Sequence, residues 1–164
     1  MKSLMLALIL ALPITAFGDT VNIVLSPGSL SGNPGDTVNF FGTLTNTTSS
    51  VLFLNNAQIS GLLPSFTGDI TPFLSNTPAS LAGNQVVTNV GLFDITIPLS
   101  IAAGPYVGTF SIFGGPDENA NVGIGSAIFT INVNSSIPEP PTFGLTFAAL
   151  ALLGTVRFMR LRRT

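Results

Sequence analysis

Five basic and seven acidic side chains in 164 residues leave this chain with little charge, and it has no cysteine, no histidine and no tryptophan. The basic residues are Lys2, Arg157, Arg160, Arg162 and Arg163, so nothing between residues 3 and 156 can neutralise phosphates, which excludes nucleic acid as a partner. Without cysteine or histidine the chain has no disulfide framework, no thiol nucleophile, no usual transition-metal ligand and not the commonest general base, so the expectation is a non-enzymatic protein without a cofactor.

The chain starts with Met1-Lys2-Ser3, a short positive stretch. An apolar run of 11 residues follows from Leu4 to Ile14, and then Ala16 and Gly18 stand at the positions a signal peptidase reads. The run falls well short of the roughly 20 residues needed to span a bilayer. Residues 1–18 therefore predict a secretory signal peptide cleaved after Gly18, with signal peptidase as a processing partner. The Thr/Asn/Ser/Gly richness downstream fits an exported chain. Once both apolar ends are subtracted, residues 19–136 make one domain of about 120 residues, close to the commonest domain size.

Within that domain short apolar runs alternate with polar residues and are separated by Gly, Pro, Asn and Ser clusters, the pattern of an antiparallel β-sandwich with about 6–8 strands. Thr20 to Leu25 comes first, with Val21, Ile23 and Leu25 on one face. Asn33-Pro34-Gly35-Asp36 supplies a type II turn, Gly35 standing where that turn requires positive φ. Thr37 to Leu44 sets Val38, Phe40 and Leu44 against Thr37, Asn39 and Thr43, and Phe41 is the exception to the alternation. After a turn over Thr45 to Ser50, the next strand runs from Val51 to Leu54 or on to Ile59. Gly61 to Gly83, with Pro64, Pro72 and Pro78, predicts short edge strands or loops.

Phe93, Ile95, Ile97 and Leu99 then point one way and Asp94, Thr96 and Ser100 the other, with Pro98 as an end or an edge. Tyr106 to Phe113 forms the penultimate strand. A loop over residues 114–121 leads to Ala127 to Val133, where Phe129, Ile131 and Val133 oppose Thr130 and Asn132. Tyr106, the one tyrosine, stands either as a tyrosine corner bonded to upstream backbone or as a plain buried aromatic. The segments NPGDTVNFFGTLTNTTSS and FDITIPLSIAAGPYVGTFSIFGG resemble the second and late strands of bacterial immunoglobulin-like repeats on cell surfaces. That resemblance implies an immunoglobulin-like sandwich.

Three constellations are candidates for chemistry. Asp117, Asn119 and Asn121 have the one-three-five spacing of a calcium loop, but Val122 replaces the glycine at position six and Ile128 the acid at position twelve, so a solvated turn competes with a metal site. Asp69 and Asp94 would suit glycoside cleavage only if the fold brought them within about 5–10 Å, and lone surface carboxylates are the default. Asn46-Thr47-Thr48 and Asn134-Ser135-Ser136 fit the N-glycosylation sequon.

At the far end Pro138, Pro140 and Pro141 lack N–H groups and fix φ, so Ile137 to Pro141 predicts an extended, accessible peptide. Phe143 to Val156 is uncharged, and counting on through Met159 it reaches about 17 residues, the lower limit for a transmembrane helix. The arginines at 157, 160, 162 and 163 hold the tail in the cytoplasm by the positive-inside rule and leave residues 19–142 outside. Residues 137–164, IPEPPTFGLTFAALALLGTVRFMRLRRT, resemble the PEP-CTERM sorting signal of exported bacterial proteins. Pro138, Glu139 and Pro140 match its motif, Phe143 to Val156 its helix, and Arg157, Arg160, Arg162 and Arg163 its basic cluster. The resemblance implies an exosortase that cuts the tail near the motif, membrane anchoring before the cut, and a setting of extracellular polysaccharide. The expected protein is a structural or adhesive component of the cell surface or extracellular matrix, with a glycan- or calcium-binding module as the alternative.

Overall fold

A computed structural model describes residues 20–135. The signal segment with Gly18, the motif Pro138-Glu139-Pro140, the apolar run over 143–159 and Arg157, Arg160, Arg162 and Arg163 lie outside the described residues. Among the described residues no helix is long and apolar enough to cross a membrane.

The chain forms β1 (Val21–Leu25), β2 (Ser29–Gly32), β3 (Thr37–Asn46), β4 (Leu52–Ser60), β5 (Thr67–Asp69), α1 (Thr71–Asn76), β6 (Ser80–Leu81), β7 (Val86–Thr96), β8 (Gly104–Gly115) and β9 (Val122–Val133). These strands make two sheets, one of four strands in the order β1-β3-β7-β5 and one of five in the order β2-β9-β8-β4-β6. Every pairing is antiparallel except that of β2 with β9. The architecture is an all-β sandwich, as the alternation predicts. β1 and β2 are consecutive yet lie in different sheets, and the chain crosses between them at Ser26-Pro27, a cis peptide bond.

Alternation puts one face of each sheet inside. Phe40 and Phe93 of the four-stranded sheet stack with ring centroids 4.7 Å apart, and Phe93 stacks at 4.7 Å on Phe110 of the five-stranded sheet. Phe129 of β9 closes on both Phe40 and Phe93 at 5.0 and 4.9 Å. With no tryptophan in the chain, these fully buried phenylalanines supply the bulk that holds the sheets together. Offset stacking adds about 0.5–1.5 kcal/mol per pair to the burial itself.

The predicted turn is present: Asp36 N–H donates to Asn33 O at 3.0 Å and Gly35 has φ of +94°. The inward sets Val21/Ile23, Val38/Phe40/Leu44, Phe93/Ile95/Ile97 and Phe129/Ile131/Val133 are buried as expected. Leu99 is a correction, since it is 85% exposed rather than inside with Phe93 and Ile95. β7 ends at Thr96, and Pro98, which has no N–H to continue the ladder, breaks the phase before Leu99.

The last strand begins at Val122, five residues before Ala127. Glycines at 123 and 125 hide the pattern, and pairing with β8 imposes it. Between Gly61 and Gly83 lie the three-residue β5 and two-residue β6, both at sheet edges, and they bring the strand count to nine. The same segment also holds the six-residue α1 in place of strand or loop, and a helix this short shows no helical period in the sequence. Pro72 in its first turn suits a helix start, and its buried Phe73 packs edge-on against Phe110 at 6.0 Å. A helix this short forms only because that anchor is buried.

Candidate functional site

The outer face of the four-stranded sheet holds the residues that sequence could not place together. From β3, Thr37, Asn39 and Phe41 point to solvent. In the antiparallel register Thr37 stands opposite Thr96 and Asn39 opposite Asp94 on β7, and β5 then sets Thr67 beside Thr96 and Asp69 beside Asp94. Side chains directly opposite share a face, so one row reads Thr37, Thr96, Thr67 and the next Asn39, Asp94, Asp69.

Hydrogen bonds tie the rows together. The Thr37 and Thr96 hydroxyls lie 3.0 Å apart, and Asn39 Nδ2 donates to Asp94 Oδ1 at 2.7 Å. Asp69 Oδ1 accepts from the Thr71 hydroxyl at 2.6 Å and from the Thr71 N–H at 2.8 Å. The bond from the Thr71 hydroxyl, aided by the one from its N–H, holds the Asp69 carboxyl below the usual aspartate range.

Phe41 completes the face. The register slips between Phe40 and Phe41, so that Phe41 meets Gly91 and the additional residue, Leu92, is buried. The exception in the alternation is thus an aromatic ring 43% exposed on a polar face. Its edge lies 3.6 Å from where a side chain on Gly91 would begin, with Asn76 and Pro72 of α1 at 3.1 and 3.8 Å from the same point. A side chain at 91 would meet the Phe41 ring at ordinary contact distance and press most closely on the Asn76 amide, so the ring leans across β7 towards the helix over a residue without a side chain.

Asp69 and Asp94 are therefore brought together, as neighbours on an open face. Two like charges directly opposite oppose the pairing of their strands. No basic side chain stands among the described residues to offset them, since the basic residues are Lys2 and the four arginines from 157 onward. A general acid for glycoside cleavage needs a raised pKa; that of Asp69 is lowered. The pair is suited to holding a cation or hydroxyl groups. Sequence reasoning missed Asn39 and the role of Phe41, for which the break in alternation was the available signal.

The other candidates are placed elsewhere. Asp117 Oδ1 accepts from the Asn119 N–H at 2.9 Å, closing an Asx turn. Asn55 Nδ2 occupies the Asp117 and Ala120 carbonyls at 3.0 and 2.8 Å, and Asn121 lines a separate hollow of about 360 Å³ with Asn56, Gln58 and Phe113. Among the described residues no three acidic side chains converge as metal ligands. The Tyr106 hydroxyl donates to Ala102 O at 2.8 Å, the bond of a tyrosine corner, and its ring tilts against Phe66 at 5.0 Å. Asn46 is wholly buried with its amide in use, so the folded chain cannot present it for glycosylation; Asn134 Nδ2 donates to Asn33 Oδ1 at 3.1 Å. A second hollow of about 360 Å³ lies beside β4 and β5, lined by Gln58, Ile59, Leu62, Leu63, Phe66 and Ile70.

No protein-family model and no curated protein matches this chain. Similar solved structures include a member of the MSP family of C. elegans, 11% identical with a TM-score of 0.40, covering 68% of this chain and 97% of that one. A type I cohesin–dockerin complex from Clostridium thermocellum is 12% identical with a TM-score of 0.30, covering 70% of this chain and 99% of that one. The VesB protease of Vibrio cholerae is 18% identical with a TM-score of 0.41, covering 70% of this chain and 31% of that one. Likenesses this distant carry no argument about activity or partners.

Proposed function

We propose that this chain is an exported, non-enzymatic structural or adhesive protein of the bacterial cell surface or extracellular matrix. In this reading a signal peptide is removed after Gly18. The C-terminal helix then anchors the chain until an exosortase cuts near Pro138-Glu139-Pro140 and releases an immunoglobulin-like domain to the matrix. The observation that carries the reading is the ordered run of Pro-Glu-Pro, apolar segment and four arginines over residues 137–164. The immunoglobulin-like assignment draws support from the Tyr106 corner and from β2 pairing parallel to the last strand across the β1–β2 sheet switch.

The second reading, a binding module, is favoured by the Phe41, Asp94 and Asp69 face, and the two are compatible. Mass spectrometry of the exported protein is expected to find a chain beginning at Asp19 and ending near Pro138, with no tail peptide. Mature protein that keeps its arginine-bearing C-terminus would defeat the sorting claim. Replacing Pro138, Glu139 and Pro140 by alanine should leave the protein trapped in the membrane at unchanged synthesis.

A further inference from the structure

One length of strand edge in this domain has no partner. β4 pairs with β8 along one side, but on its other side it meets only β6, at Leu52 and Phe53, and the Leu54 N–H donates to Ala79 O at 2.8 Å just beyond. From there to Ser60 no backbone bond among the described residues reaches that side. The Ala57 N–H donates instead to its neighbour's side chain, Asn56 Oδ1, at 2.9 Å, so it faces away from β8. Backbone groups alternate in direction along a strand, and Ile59 therefore faces the same way with both its N–H and its C=O.

An open edge is a template for another strand, and proteins blunt such edges with lysine, other charged side chains, proline or a bulge. The open stretch Asn56 to Ser60, NAQIS, holds no charge and no proline, and the bulge in β4 lies before it, between Leu54 and Asn56. Beside it lies the hollow of about 360 Å³ whose apolar walls are Ile59, Leu62, Leu63, Phe66 and Ile70. Side chains directly opposite each other share a face, so a residue added opposite Ile59 would aim its side chain into that hollow. The residues on either side of it would face outward with Gln58 and Ser60, which are exposed.

We propose that the open edge of β4 takes up an extended peptide segment of a partner protein, which continues the line that β6 begins and fills the hollow with one large apolar side chain set between polar neighbours. The assignment names the kind of partner for the adhesive, binding reading of the domain and rests on that reading.

Three observations choose this occupant. A row of unused backbone donors and acceptors matches another backbone, as in strand addition. The apolar walls of the hollow call for an apolar side chain at one position of that strand. Asp36, Asp69, Asp94, Asp117 and Glu118 are the charged residues between 20 and 135 and all are acidic, so a peptide with basic flanks is attracted and an acidic one repelled. A second copy of this chain fits less well. Two β4 edges paired about Gln58, the register that uses both Ala57 and Ile59, would set Ala57 of one opposite Ile59 of the other, and a methyl group leaves the hollow unfilled.

The test uses the full chain in a mild detergent and a capped peptide probe, Lys-Thr-Thr-Leu-Thr-Thr-Lys, with fluorescence anisotropy for affinity and amide hydrogen exchange for location. Binding is expected, with slower exchange at Ile59. Replacing the probe's leucine by alanine should weaken binding by about tenfold, because the hollow then loses its side chain. N-methylation of that leucine removes the donor to Ile59 O and should cost about tenfold or more. N-methylation of the threonine before it, whose N–H points to solvent, should leave the affinity almost unchanged. Leu63→Ala, at a half-exposed site on the wall of the hollow, should weaken binding several-fold with an unchanged circular dichroism spectrum. No binding at about 1 mM probe, equal affinity for the two N-methyl probes, or binding without slower exchange at Ile59 would each overturn the assignment. Exchange at Ile59 that slows with protein concentration in the absence of probe would overturn it in favour of a second copy. None of these results touches the sorting reading, which the mass of the mature C-terminus decides separately.

Discussion

Asn46 is the one polar residue among those described that is fully buried, and its amide ties three segments together. Nδ2 donates to the carbonyls of Ser50, Leu81 and Ala82 at 2.7, 3.1 and 3.0 Å, and Oδ1 accepts from the Thr48 N–H and hydroxyl at 2.9 and 2.8 Å. Asn46→Ala leaves the buried Leu81 carbonyl without a partner and the part-buried groups around it with fewer, and opens a hole at a fully buried site, so urea melts should show a loss on the order of 3 kcal/mol. Asp69 makes a prediction about pH. Its folded pKa lies below the ordinary aspartate value because the Thr71 hydroxyl, and then the Thr71 N–H, bond the ionised form. The stability it contributes is therefore present above the unfolded pKa and is lost as pH falls through the lower folded one. A carboxyl carbon titration by NMR should give a depressed midpoint, and Thr71→Ala should raise it part of the way back. At this scale the sequence read well where burial follows from side-chain type, as at Phe129 or Val38. It read poorly at Asn46, which looked like a glycosylation sequon until the fold closed over it.

Elements were legible in proportion to their length and alternation. β3 and the inward set of β7 could be read because half their residues are apolar and in phase. β2, β5 and β6, of four, three and two residues, carry too few positions for a period. Their places come from the strands they pair with. β8 and β9 illustrate packing across a pair: Gly108 stands opposite Phe129, and a side chain at 108 would run into the Phe129 ring. Gly108→Ala should cost about 1–3 kcal/mol, because the ring it would run into is fully buried in the packed core, and thermal unfolding would measure it. An unchanged melting temperature would mean that the ring can move.

Over the whole domain the described chain enters at one end of the sandwich and leaves at the other. Thr20 N–H bonds Ile124 O near the start of β9, and Asn134 N–H bonds Gly32 O just past its end. Ten residues of strand, about 34 Å, separate those points. Phe93 sits where the two sheets meet, touching Phe40, Phe110 and Phe129. Phe93→Ala should cost about 3–5 kcal/mol and lower the melting of both sheets together, read by circular dichroism and near-ultraviolet signals that coincide. The sequence alone determined the all-β class, the main strands and the absence of basic side chains across the middle of the chain, because alternation and composition are local. It could not say that Asp69 and Asp94 face each other, that Asn46 is sealed, or that Phe41 looks outward. Those depend on register, on a bulge at Leu92 and on an edge strand of three residues, which are settled only when distant segments pair.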